Sequence, residues 1–141
     1  PIGKPLISRE TASKVTRMME LAVGPGGTAP LAAVPGYRVA GKTGTAHKPE
    51  SGGYADSKYV SSFVGFGPVS DPRFIVAVML DEPMGAKYYG GDVSAPVFAS
   101  VMGAALRTMS VPPDSPQTLN VQAPAHPAAT EARAPGAGSQ G

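Results

Sequence analysis

Three segments of strand character follow one another in the middle of this chain, with no helical pattern between them. The first is Tyr37-Arg38-Val39-Ala40-Gly41, which leads into Lys42-Thr43-Gly44-Thr45. The second, residues 59–66, alternates. Val60, Ser62, Val64 and Phe66 share one face, and Tyr59, Ser61, Phe63 and Gly65 share the other, because successive strand side chains point to opposite sides. The third, Phe74 to Leu80, is continuously apolar and of strand length, the pattern of a strand buried on both faces. Between the last two, Gly67-Pro68-Val69-Ser70-Asp71-Pro72 carries turn chemistry, which predicts an antiparallel hairpin.

Helical patterns flank the strands. Ser8 is placed to cap a helix. Ala12, Val15, Met18, Met19, Ala22 and Val23 recur at helical spacing up to the stop Gly24-Pro25-Gly26-Gly27. After the strands, Asp92 or Ser94 is expected to cap a second helix, with Pro96 tolerated in its first turn. Val97, Phe98, Val101, Met102, Ala105, Leu106 and Met109 give that helix a broad apolar face. Strands grouped together rather than alternating with helices predict an α+β fold, an antiparallel sheet covered by helices. Residues 47–58 are polar and Gly-rich and read as an exposed loop. From Pro112 onward Ala and Pro dominate, and Leu119 and Val121 are the only large aliphatics. Such a segment cannot bury enough apolar surface to offset its ordering entropy, so residues 112–141 are expected to be a disordered tail behind an ordered body, 1–111.

The bulk properties exclude several functions. A net charge of +2 over 141 residues, without a basic run or interleaved stacking aromatics, gives no ground for nucleic-acid binding. The absence of Cys removes disulfides, thiolate zinc sites and a Cys nucleophile. His47 and His126 are far apart and lack paired carboxylates, so their spacing suggests no metal site, and nothing calls for a cofactor. No apolar stretch approaches the ~20 residues of a membrane span. The start at Pro1, without methionine, suggests the back end of a longer protein.

The chemistry concentrates in Lys42-Thr43-Gly44-Thr45. A Lys and two hydroxyls around a bare glycine make a cationic, hydroxyl-rich strand edge. Such an edge suits an anionic substrate, admits a close-lying backbone at the glycine and offers an N–H to a developing oxyanion. Gly36 to Thr43 also matches the phosphate-loop pattern G-x-x-x-x-G-K-T. A phosphate loop must follow a buried strand and open a helix. Here Ala33-Val34-Pro35 precedes it and Gly44-Thr45-Ala46-His47-Lys48-Pro49 follows, and neither fits, so nucleotide binding is set aside.

Further blocks accompany the motif: Pro35 to Ala46, then Ser62-Phe63-Val64-Gly65-Phe66-Gly67-Pro68, then Tyr88-Tyr89-Gly90-Gly91 and Ala95-Pro96-Val97-Phe98. In order and spacing they resemble the C-terminal part of the transpeptidase domain of class B penicillin-binding proteins, most closely the septal, cell-division type, penicillin-binding protein 3. The Lys-Thr-Gly element is one of that superfamily's signatures. The resemblance implies a serine β-lactamase/D,D-peptidase-like fold and serine acyl transfer. A serine attacks the D-Ala-D-Ala bond of a peptidoglycan stem peptide, D-Ala leaves, an amine takes the acyl group, and β-lactams trap the serine.

It further implies roles for individual residues. Lys42 would supply charge and support proton transfer. Thr43 and Thr45 would hydrogen-bond the substrate carboxylate, and the Thr45 N–H would complete an oxyanion hole. Gly44 would let the substrate backbone lie flat. Tyr59, Tyr88 and Tyr89 would wall the pocket, and Gly90-Gly91 would make a tight turn at its edge. His47 stands where relatives often carry Arg, and its role is open. Partners implied are stem peptides, β-lactams and division-machinery proteins, at the periplasmic face of the bacterial inner membrane with an anchor upstream. The family's Ser-x-x-Lys and Ser-x-Asn do not occur in the 141 residues, and acyl transfer requires an activated nucleophile. The expectation is therefore that an upstream segment of the same protein supplies the serine and that the isolated chain is inactive. Two other readings stay open: a non-catalytic module holding a peptide by β-augmentation, and a serine β-lactamase.

Overall fold

The computed structural model describes residues 3–50 and 52–115; the expected tail beyond Ser115 lies outside them. The first helix, α1, spans Arg9–Val23, and the Ser8 hydroxyl accepts the Thr11 N–H at 3.0 Å, as its cap position requires. The stop is at Gly24, whose N–H returns to the Glu20 carbonyl. A short turn of 3-10 helix, Pro30–Ala32, precedes the sheet and has no counterpart in the sequence pattern.

The sheet has three antiparallel strands in the order β1 (Ala40–Glu50), β2 (Gly53–Gly67), β3 (Phe74–Asp81). The α+β architecture expected from grouped strands is the one observed. Two expectations about the strands are corrected. Residues 47–58 are not a loop: β1 continues to Glu50 and β2 begins at Gly53. The two strands pair at His47↔Tyr59, Pro49↔Tyr54 and Glu50↔Gly53 on either side of a register shift, and main-chain pairing needs no apolar side chains, so the polar sequence concealed it. The Phe74–Leu80 run is not buried on both faces. Phe74, Val76, Val78 and Leu80 are half-buried, while Ile75 is 78% and Met79 74% exposed. One face of the sheet is covered; the other is open.

The covered face carries the core. Phe63 of β2 and Phe98 of the last helix, α3 (Ala95–Thr108), are both fully buried with ring centroids 4.7 Å apart, and Met102 and Leu106 extend the contact along α3. The expected apolar face of this helix is only partly used, since Val97, Val101 and Met109 stay exposed. The capping expectation is also corrected. Asp92 lies inside a separate one-turn helix, α2 (Gly90–Val93), and the Ser94 hydroxyl donates to the Ser61 carbonyl at 3.1 Å instead of capping α3.

The chain after α3 returns to the start of β1. Val111 is buried, and its carbonyl accepts the Tyr37 hydroxyl at 2.7 Å. Asp114 accepts the N–H of Arg38 at 2.7 Å through one oxygen and that of Ser70 at 3.1 Å through the other, and Ser115 N–H reaches the Gly36 carbonyl. The Arg38 guanidinium meanwhile clasps Glu20 of α1 through two bonds of 2.9 Å. Residues 112–115, expected to begin the tail, are therefore fastened to the body.

Partial burial alone would push the Asp114 carboxyl up. The N–H donations from Arg38 and Ser70, the Ser70 hydroxyl and the Arg38 charge outweigh it and hold the group below the ordinary carboxylate value. A depressed carboxylate stabilises the fold fully above its unfolded value, near ~4, and loses that contribution as pH falls through its folded value. Asp114→Asn is expected to cost about 1–2 kcal/mol at neutral pH. The gap from wild type should close at acid pH, a convergence that urea denaturation at a series of pH values will test.

Candidate active site

Strand alternation on β1 divides the motif. Thr43, Thr45 and His47 stand opposite Phe63, Ser61 and Tyr59 of β2 on the covered face, and Lys42, Gly44 and Ala46 stand opposite Val64, Ser62 and Val60 on the open one. Because Phe63 must be buried under α3, the register sends both threonine hydroxyls toward the helical layer. There they meet a cavity of about 370 Å³, bounded by Thr43 and Thr45 on one side, Thr28 and Leu31 of the α1–β1 connection on another, and the Tyr89–Asp92 stretch on the third.

The Gly90 N–H donates to Thr45 Oγ1 at 3.1 Å. A hydroxyl has a single proton, so with its oxygen already accepting, the Thr45 O–H is free to donate, as a bound anion requires. Stretch 88–94 is fixed to β2 as well. The Ser61 hydroxyl donates to the Tyr88 carbonyl, and the Ser94 hydroxyl donates to the Ser61 carbonyl. Lys42 does not line the cavity. Its ammonium folds along β1 onto the Thr43 carbonyl at 2.8 Å, with Thr43 Oγ1 at 3.5 Å, so it lies at the motif's own edge, and among the described residues no carboxylate pairs with it.

The glycines have packing reasons that sequence reading did not supply. At Gly44 the room a Cβ would need is taken by the Ser62 hydroxyl of the neighbouring strand, 2.5 Å from where it would sit. Gly90 and Gly91 are not a turn but the first residues of α2. A Cβ on Gly90 would strike the Ser62 carbonyl oxygen and lie 2.6 Å from that of Gly44, and one on Gly91 would strike the Thr28 carbonyl oxygen.

The aromatic residues form a stack. His47 and Tyr59 rings lie 4.5 Å apart, Tyr59 and Tyr88 are nearly parallel at 4.1 Å, and Tyr88 and Tyr89 are 4.5 Å apart. Of these four only Tyr89 reaches the cavity. The hydrogen bond with the Tyr88 hydroxyl, with that neighbour's charge and slight burial, raises the Tyr89 phenol above its ordinary value, so it stays protonated at neutral pH. Sequence reasoning missed Thr28, Leu31, Asp92 and Ser61. Only Ser61 had a legible signal, its place on the Tyr59–Phe63 face.

A strand bearing Lys-Thr-Gly-Thr, hydroxyls turned into a cavity and a glycine-led helix closing over them make a hydroxyl-lined recess suited to an anionic group. Comparison with known proteins gives the family. The family profile described as penicillin binding protein transpeptidase domain matches residues 1–103, and the chain belongs to that family. It is 45% identical over 118 residues to the probable peptidoglycan D,D-transpeptidase PenA of Neisseria gonorrhoeae, covering 84% of this chain and 20% of that protein. It is 44% identical over 113 residues to the peptidoglycan D,D-transpeptidase FtsI of Escherichia coli, covering 80% of this chain and 19% of that protein. The apo transpeptidase domain of Burkholderia pseudomallei penicillin-binding protein 3 superposes with a TM-score of 0.74 at 50% identity, over 81% of this chain and 34% of that one. The chain thus spans about a fifth of the curated relatives and a third of that solved domain.

The clash geometry gives a direct prediction. Gly90→Ala is expected to lift the start of α2 off β1 and to cost about 1–3 kcal/mol, the range for overpacking against backbone. Thermal denaturation will measure the loss, and the chemical shift of the Thr45 amide will report the displaced contact.

Proposed function

We propose that this chain is the C-terminal part of a serine D,D-transpeptidase that cross-links peptidoglycan stem peptides during cell division and is acylated by β-lactams. The observation that carries the reading is the Thr45 hydroxyl, poised by Gly90 to donate into a cavity it shares with Thr43. In this reading the two hydroxyls receive the carboxylate of the D-Ala-D-Ala terminus. The Lys42 ammonium, at the Thr43 edge, adds positive charge and assists proton transfer. The Thr45 N–H is one donor to the oxyanion, a contribution worth ~3–4 kcal/mol of barrier in acyl transfer.

The serine and its base belong to the part of the domain that lies outside these residues. The open face of the sheet supports this, with Ile75 and Met79 exposed beside Val64 on the side where Lys42 emerges. Apolar side chains in such a row call for cover, and the other two-thirds of the domain is the natural source. The protein then works at the periplasmic face of the inner membrane, anchored through a segment upstream.

Incubation with a fluorescent penicillin followed by mass spectrometry tests the reading. No covalent adduct is expected on the isolated 141 residues, and a stable serine adduct is expected on the complete domain. An adduct on the isolated chain, or rapid hydrolysis by the complete domain, would overturn it, the latter in favour of a β-lactamase. Reversible binding without acylation by the complete domain would favour a peptide-binding module. In the complete domain Thr45→Val is expected to lower the acylation efficiency about 10- to 100-fold, the worth of one charge-assisted hydrogen bond, and Thr45→Ser to remain near wild type.

A further inference from the structure

His47 lies on the same face of β1 as the two threonines, yet it stands away from the cavity they line. Its surroundings give it a different task. Between the pairs His47↔Tyr59 and Pro49↔Tyr54 the register breaks, β1 advancing two residues (47 to 49) and β2 five (59 to 54). The extra residues of β2 have no ladder partner across the break, and Pro49 has no N–H to offer. The His47 side chain takes over. Its Nδ1 lies 2.8 Å from the Ala55 carbonyl oxygen, which can only accept, so Nδ1 carries the proton. The same ring rests on Tyr59, Tyr59 stacks on Tyr88, and Tyr88 adjoins Tyr89 at the cavity mouth.

We propose that His47 is a positioning residue. It pins the irregular β1–β2 ribbon through the Ala55 carbonyl and, through Tyr59 and Tyr88, sets where Tyr89 stands against a bound acyl donor. The inference rests on the transpeptidase reading above. Two features of the imidazole are needed together: a flat ring to abut Tyr59 and an N–H one bond from the ring attachment to reach Ala55. Phe supplies the first alone, and Asn the second alone. The substrate group affected is the one that contacts Tyr89, an apolar or planar part of the acyl donor; the carboxylate, held by Thr43 and Thr45, is not.

The test is the acylation kinetics of the complete transpeptidase domain with a chromogenic cephalosporin, separating the dissociation constant of the first complex from the maximal acylation rate. His47→Ala is expected to weaken the first complex about tenfold, the worth of one aromatic contact, with the maximal rate nearly unchanged. His47→Phe and His47→Asn should each recover part of the loss. In a Tyr89→Ala background, His47→Ala should add little, because the ring through which it acts is gone.

Full additivity of the two substitutions, or a loss in the maximal rate alone, would overturn the proposal. So would wild-type behaviour of His47→Ala. Should His47→Ala fail to fold, the Phe and Asn variants in both backgrounds give the same comparison. A wild-type domain that is never acylated would sink the transpeptidase reading and this proposal with it, whereas an acylated wild type with additive variants would sink this proposal alone.

Discussion

The register between β1 and β2 is the constraint on which the rest of the molecule depends. A slip of one residue would exchange the two faces of β1. Phe63 prevents it, since its ring is fully buried against Phe98 and has nowhere else to go. Once Phe63 faces the helical layer, its partner Thr43 must do so too, and with it Thr45 and His47 two and four residues on. A hydrophobic contact thus aims the hydroxyls. The polar residues follow the register and do little to set it.

Around that strand the structure makes two layers with different completeness. On the covered side the helical cap is close enough that only glycine fits at positions 90 and 91, and the backbone of α2 lies within hydrogen-bonding distance of Thr45. Arg38 and Asp114 fasten the other end of β1 to α1, to the β2–β3 turn and to the segment after α3. On the open side Val64, Ile75 and Met79 form an apolar surface beside Lys42. The lysine therefore leaves the strand on the side away from the cavity and bends back to its edge at the Thr43 carbonyl.

Much of this was readable from residue order. Ser8 and Gly24 mark the ends of α1 because caps are local chemistry, satisfied within three or four residues. The alternation of 59–66 assigned Phe63 and Ser61 to one face because side-chain period in a strand is a backbone property. The failures share a cause. The strands reach beyond His47 through main-chain pairing at Pro49↔Tyr54 and Glu50↔Gly53, which composition does not register. The Phe74–Leu80 run reads as doubly buried because hydrophobicity records what a residue tolerates, not what covers it in a given stretch of chain. Ser94 resembles a cap locally, but a carbonyl on β2 claims its hydroxyl.

The sequence by itself determined the class of fold and the family, since strand grouping, cap residues and the order and spacing of the motif blocks are properties of the linear chain. Tertiary structure alone decided that the cavity is closed by Thr28, Leu31 and α2, that the Gly90 amide donates to the Thr45 hydroxyl, and that His47 stands at the far end of a stack of rings. These depend on contacts between residues distant along the chain. Such contacts exist only after a buried aromatic pair has fixed the register, and no local pattern of side chains records that event.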